Sequence, residues 1–188
     1  MTIQALIFDC DGTLTDSMAA HYEAWRIALA VYGMELDEQR FYRHCGTPSR
    51  RVIPMLAQEQ GIELDFERVN AAKEEYFLES VHLLKPIEPV VRIARQNRGK
   101  LGMAVASGGV RRVVHLQLQQ IEVFDWFAAI VTAEDTERHK PDPDVFLEAA
   151  RRLDVPAQAC RVYEDGDPGI EAARRAGMEC VDVRELAP

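Results

Sequence analysis

Asp9-Cys10-Asp11-Gly12-Thr13-Leu14-Thr15-Asp16, arriving directly behind the branched apolar run from Ile3 to Phe8, decides the fold of this chain. A short continuous apolar run reads as a strand buried on both faces, the signature of a parallel sheet. The chain then delivers two aspartates, two residues apart, into the loop at the strand's carboxyl end. Open α/β sheets place their ligands there. Asp9 and Asp11 point in alternate directions and can therefore take different tasks on one ligand. Gly12 permits a sharp turn, and Thr13 offers a hydroxyl and an amide to an anion. Asp-Gly-Thr is also ordinary turn chemistry, so the rest of the chain has to decide between the two.

Working outward, four more apolar segments read as strands, at 101–106, 128–132, 160–164 and 179–183. Helical segments separate them: one near 110–120, and two that Asp142-Pro143 and Asp167-Pro168 open as cap-plus-proline pairs. A further helix covers about 87–98, after Pro86. Such alternation gives an α/β fold: a Rossmann-like core whose five-stranded parallel sheet is covered on both faces.

Between the first two strands the pattern changes. Residues 17–83 carry helical periodicity and no strand signal. Ala20, Ala24, Ile27, Ala28 and Val31 form one stripe, and His21, Trp25, Leu29 and Tyr32 another, until Gly33 stops the helix. Further helices are expected near 37–45, 49–60 and 65–82. The domain reading is a core of 1–16 with 84–188, and a small α-helical insertion at 17–83.

Composition narrows the function. At 188 residues, 47% of them apolar, the chain is long enough for a real core and is not disordered. A formal net charge of −9 argues against nucleic acid and against anionic membranes. It also requires that any phosphate-handling site reverse the field locally. Paired arginines, such as Arg111-Arg112 and Arg174-Arg175, read as solvated helix faces. The four cysteines, Cys10, Cys45, Cys160 and Cys180, lack metal spacing, which suits buried thiols in a reducing compartment. No stretch is long and apolar enough to span a bilayer, and the start has no leader pattern. A cytoplasmic protein is expected, and a monomer, because no long apolar surface stripe announces an interface.

Four segments would meet at the carboxyl end of the sheet. Asp9 and Asp11 end the first strand. Ser107-Gly108-Gly109 ends the second, a hydroxyl and exposed amides ahead of a helix. Lys140-Pro141 follows the third, and Glu164-Asp165 ends the fourth. Each alone is weak: a turn, a helix stop, a cap. Their order and their common position at strand ends make a joint role the better reading.

This constellation resembles the haloacid dehalogenase superfamily of phosphotransferases over essentially the whole chain. The resemblance implies Asp9 as a nucleophile that forms an aspartyl phosphate, and Asp11 as general acid and then base. It implies Ser107, Gly108 and Lys140 around the phosphoryl group. Mg²⁺ would be held by the Asp9 carboxylate, the Asp11 carbonyl and Asp165, with Glu164 in support. The charges agree, because carboxylate attack on a phosphate dianion is repulsive and one ammonium is poor compensation. A hard divalent ion with oxygen ligands supplies the rest, and the donor set favours Mg²⁺ over zinc. Lys140 could otherwise be a solvated surface lysine.

The insertion resembles the helical cap of the β-phosphoglucomutase-like branch, carried by Asp16-Ser17-Met18-Ala19-Ala20-His21-Tyr22-Glu23-Ala24-Trp25. Such a cap closes over substrate and excludes water. His21 is then a substrate or hinge contact, or else a cap-core histidine beside Trp25. Gly46-Thr47-Pro48-Ser49-Arg50-Arg51 occupies the place of the specificity loop. A gap-free match puts Ser49 where the mutases bind the second phosphate, and leaves Arg50 or Arg51 to reach. Lys73 is either another substrate contact or a solvated helix face. Gly166 replaces the small hydroxyl or alanine common in relatives, with little consequence expected.

The short length and Tyr163-Glu164-Asp165-Gly166-Asp167-Pro168-Gly169-Ile170 look most like the small sugar phosphatases of this branch, of the fructose-1-phosphatase type. A Mg²⁺-dependent phosphatase of a small phosphorylated metabolite is therefore expected. A β-phosphoglucomutase-like isomerase is the alternative. A signalling receiver domain is the third reading. It is disfavoured because Val131-Thr132-Ala133 ends the third strand without an aspartate, and because a receiver needs no bundle after its first strand.

Overall fold

A computed structural model describes residues 2–44 and 49–186. It divides into two compact units, Met1–Asp16 with Leu84–Pro188, and Ser17–Leu83.

The first unit is built on a five-stranded parallel sheet with strands β1 (Ala5–Phe8), β2 (Gly102–Ala106), β3 (Ala129–Val131), β4 (Cys160–Glu164) and β5 (Glu179–Asp182). They lie in the order β3-β2-β1-β4-β5. Chain reversal at β1 makes it the centre of the sheet, and the topological switch point falls at its carboxyl end. Every β1 residue is buried. Ala5 and Ile7 enter one core and Leu6 and Phe8 the other, as the two-residue period of a strand requires. Phe8 and Tyr163, register partners on β1 and β4, stack with centroids 4.9 Å apart.

Helices α5 (Glu88–Asn97), α6 (Arg111–Gln120), α7 (Asp144–Leu153) and α8 (Asp167–Arg175) return the chain between strands. Both proline-marked starts are displaced by one residue from the sequence reading, α7 later and α8 earlier. Asp142 does not cap α7; Pro143 occupies the N-cap and Asp144 is the first helical residue. At α8 the N-cap is Gly166, with Asp167 and Pro168 in the first turn.

The described residues of the second unit form four α-helices, α1 (Met18–Ala30), α2 (Glu38–Arg43), α3 (Ser49–Glu59) and α4 (Phe66–Ser80). Asp37 and Asp65 cap α2 and α4 by accepting hydrogen bonds from Arg40 and from Glu67 and Arg68 amides. Trp25, Ala28, Leu29, Val52, Ile53, Leu56 and Val69 form its core. Val31, placed by spacing on an apolar stripe, is instead 77% exposed, because α1 has already ended at Ala30.

Where the chain leaves the first unit and where it returns, the two passages are stitched together. Thr15 forms an antiparallel bridge with Pro86. The Asp16 amide donates to the Lys85 carbonyl, and the Ile87 amide to the Leu14 carbonyl, each at 2.9 Å. No helix among the described residues is long and apolar enough to cross a membrane.

Candidate active site

Asp9 continues β1 beyond its last ladder pair, its amide bonded to the Tyr163 carbonyl at 3.0 Å, and its side chain is buried. Lys140 reaches it from the segment after β3. The Lys140 ammonium lies 2.5 Å from Asp9 Oδ1 and 2.7 Å from Glu164 Oε1, and it stands over the Phe146 ring, 4.9 Å from its centroid. Its side chain is only 11% exposed, so the alternative of a solvated surface lysine is set aside.

Glu164 and Asp165 end β4 and turn opposite ways. Glu164 is buried, bridges Lys140 and accepts the Gly166 amide at 2.6 Å, closing the amino end of α8. The space for its carboxylate exists because residue 169 is glycine; a Cβ there would stand 1.7 Å from Glu164 Oε1. Asp165 accepts the Thr13 hydroxyl at 3.0 Å. It sits so close to Gly12, whose φ is +79°, that a Cβ at that residue would fall 2.3 Å from Asp165 Oδ2. Glycine at 12 thus answers both the turn and the approach of the β4 carboxylate.

Asp11 lies on the other side of the same loop. Its Oδ1 accepts from the Gln117 side-chain amide of α6 at 2.9 Å. Ser107 is buried, and its Oγ accepts the Gly109 amide at 3.0 Å, while Gly108 is exposed at the loop's crest. A Cβ on Gly109 would stand 3.2 Å from Ser107 Oγ and 3.5 Å from Asp11 Oδ2, so loop and carboxyl are neighbours. The Arg111 amide that opens α6 is taken by Glu134. Seven residues singled out in the sequence (Asp9, Asp11, Ser107, Gly108, Lys140, Glu164 and Asp165) thus belong to one end of one sheet. Gln117 carried no motif.

The charge balance is unusual. Asp9, Glu164 and Asp165 each present a carboxylate oxygen, all within 4.8 Å of one another. Burial raises the Asp9 carboxyl well above its ordinary value, with Glu164 and Asp165 adding to the rise and Lys140 opposing it. Asp165 is pushed up to about 6, by burial first and then by Glu164. Burial works against the Lys140 charge, yet Asp9 and Glu164 outweigh it and hold the ammonium above its usual range. Three crowded carboxylates against one ammonium leave a deficit of positive charge, and an all-oxygen donor set suits a hard divalent cation.

A stability test follows. The folded state holds the Asp165 proton up to about pH 6, whereas the unfolded chain releases it near 3.8. Stability is therefore lost as pH rises through that window. In chelator, Asp165→Asn should melt a few degrees above the parent at pH 7 and match it near pH 4, and divalent cation should stabilise only the parent. A variant less stable than the parent in chelator at pH 7 contradicts this account.

The candidates in the helical unit fare differently. His21 stacks face to face on Phe77, with centroids 3.9 Å apart. Lys73 is 5% exposed, bonded to Glu74 at 3.1 Å and set against the Trp25 and Phe77 rings. A solvated helix face is thereby ruled out for Lys73. Arg50 is exposed on α3, paired with Glu67 and lying over Phe66, and Arg51 is exposed beside it. Gly46, Thr47 and Pro48 of the expected specificity loop, and Cys45, lie outside the described residues. Cys10 and Cys160 are buried free thiols, and Cys180 is half-buried.

A central parallel strand ending in paired aspartates, with lysine and a second acidic pair converging from later strands, defines an α/β enzyme site suited to phosphate-ester chemistry. Comparison with known proteins gives the family. A profile of the haloacid dehalogenase-like hydrolases matches residues 6–183. The chain is 37% identical over 185 residues to the fructose-1-phosphate phosphatase YqaB of Escherichia coli, covering 96% of each. It is 29% identical over 199 residues to the β-phosphoglucomutase of Bacillus subtilis, covering 99% of this chain and 85% of that one. Among solved structures, CbbY from Rhodobacter sphaeroides in complex with phosphate superposes with a TM-score of 0.85 at 25% identity, over 95% of this chain and 85% of that one. The chain belongs to the haloacid dehalogenase-like hydrolases and is an enzyme of their phosphatase class. The receiver-domain reading falls with that assignment.

Proposed function

We propose that this enzyme hydrolyses a small sugar phosphate, of the fructose 1-phosphate kind, in a Mg²⁺-dependent reaction through a phosphorylated Asp9. The observation that carries the proposal is the buried Asp9 carboxylate bridged by Lys140 to Glu164, beside Asp165 and the loop of Asp11 and Ser107. Near-complete mutual coverage with the Escherichia coli phosphatase supports the substrate class.

In this reading an Asp9 oxygen attacks phosphorus and the bond to the sugar oxygen breaks. Asp11 gives its proton to the departing alkoxide. It then takes a proton from water, which attacks the same phosphorus and frees Asp9 with release of inorganic phosphate. Ser107 and the Gly108 backbone hold the phosphoryl oxygens, and Lys140 neutralises their growing charge. Glu164 keeps the Lys140 ammonium in place. Asp9, the Asp11 carbonyl and Asp165 would hold Mg²⁺, which when bound supplies the positive charge the carboxylates lack. In the helical unit, where His21 and Lys73 both lie against the Phe77 ring, the residues proposed to contact substrate are His21, Lys73, and Arg50 or Arg51.

The test is phosphate release from a panel of sugar phosphates in Mg²⁺ and in EDTA, with glucose 6-phosphate followed in parallel from β-glucose 1-phosphate. Metal-dependent release from fructose 1-phosphate or a similar ester is expected. Glucose 6-phosphate formed faster than phosphate is released would make the enzyme a mutase and overturn the proposal.

A further inference from the structure

Helix α6 turns Val113, Val114, Gln117 and Leu118 into the core, and Gln117 is 0% exposed. It is the only side-chain amide in the buried set of the described residues. Burying a primary amide among apolar neighbours is costly unless both ends find partners, so its presence needs a reason. Both ends are engaged. Nε2 donates to Asp11 Oδ1 at 2.9 Å, and Oε1 accepts from the Thr15 hydroxyl at 2.6 Å. Thr15 Oγ1 also lies 3.1 Å from the Cys10 carbonyl, so the shorter contact to Gln117 takes its proton.

The chemistry of the partners fixes which way the amide faces. Whether Asp11 is ionised or carries its proton on Oδ2, its Oδ1 only accepts, so the NH₂ faces Asp11 and Thr15 donates to the carbonyl end. Asp11 Oδ1 is held on the α6 side. Its other oxygen, Oδ2, faces the Ser107–Gly109 loop, 3.5 Å from where a Gly109 Cβ would stand.

We propose that Gln117 is a positioning residue, which orients the Asp11 carboxyl group so that Oδ2 meets the leaving oxygen of a phosphate ester held at the Ser107–Gly109 loop, with Thr15 locking the amide. The proposal rests on the reading of Asp11 as acid and base. Backbone closure of the β1 loop does not depend on Gln117. The Gly12 amide bonds to the Thr15 carbonyl, and the Leu14 and Thr15 amides bond to Cys10.

The test compares kcat/KM for an alkyl phosphate, the best of the sugar-phosphate panel, with that for p-nitrophenyl phosphate, whose phenolate leaves without a proton. Gln117→Met should lower kcat/KM on the alkyl ester by about 10- to 100-fold, mostly through kcat, and at least about ten times more than on the aryl ester. In an Asp11→Asn background the same substitution should cost less than about twofold on the alkyl ester. Equal losses on both esters, or a full additional loss in the Asp11→Asn background, would show a merely structural role and overturn the proposal. An Asp11→Asn enzyme as active as the parent on the alkyl ester would instead overturn the role of Asp11. If Asp11→Asn is crippled and Gln117→Met is not, only the positioning role falls. Should Gln117→Met fail to fold, Thr15→Val leaves the amide in place without its lock. It is expected to lose several-fold on the alkyl ester selectively, and an unselective effect would count against the proposal.

Discussion

Asp9→Asn is expected to lose phosphate release by at least about 10³-fold, because an amide is no nucleophile and groups acting as one unit fail together. The fold should survive, and the reason is specific to this site. Asp9 is buried beside Glu164 and Asp165, and its carboxyl already holds its proton more tightly than an exposed one. Replacing it with a neutral isostere relieves repulsion while Lys140 keeps its 2.7 Å contact with Glu164. In chelator the variant should therefore melt no lower than the parent. Metal-dependent activity above about one per cent of the parent, confirmed on protein free of deamidated aspartate, would sink the nucleophile assignment.

Lys140→Met gives the second large effect, and it combines stability with chemistry. Methionine keeps an apolar stem of similar length but removes the ammonium that lies over the fully buried Phe146 ring and between Asp9 and Glu164. Removing one partner of a buried pair leaves uncompensated charge, at a cost of roughly 3–5 kcal/mol. For a chain of this size that corresponds to a loss of about 10 °C or more in Tm. The loss should be larger at pH 8 than at pH 5, because protonating the carboxylates removes their repulsion. Divalent cation should restore part of the stability but not the activity, which falls about 10²-fold or more with the phosphoryl oxygens left unneutralised. Unchanged melting at pH 8 in chelator would show that Lys140 is not the compensating charge.

Much of this was readable in advance, for identifiable reasons. A short apolar run ending in two aspartates reads as a buried strand with a ligand loop, and the later strand ends decided that reading over an ordinary turn, so β1 and the position of Asp9 and Asp11 followed from the residues. The strand-end positions of Ser107, Lys140 and Glu164-Asp165 followed from the same alternation. What escaped depends on neighbours distant in sequence. Lys73 stands in Asn70-Ala71-Ala72-Lys73-Glu74-Glu75, which looks solvated; its burial comes from Trp25 on another helix and Phe77 one turn on. Gln117 left one faint sign, a polar residue on the helix face that Val113, Val114 and Leu118 turn inward. Nothing local says whether such a residue is a flaw or a part. The α7 start was misread because Asp142 and Asp144 flank the same proline, and either could open a helix. Asp144 is the residue that begins α7, and its Oδ1 accepts from Arg138 at 3.1 Å.

The stitched junction at Thr15–Asp16 and Lys85–Ile87 has an architectural consequence. The sheet closes its own seam, with paired backbone bonds across it, before any residue of Ser17–Leu83 is counted. The helical unit is thus hung from the core as a hairpin hangs its loop, and the entropy of such closure grows only slowly with loop length. Length and sequence in that unit can drift, or be exchanged wholesale, while the register of β1 and the placement of Asp9 stay as they are. The scaffold keeps the parts that must not move apart from the parts that are free to diversify.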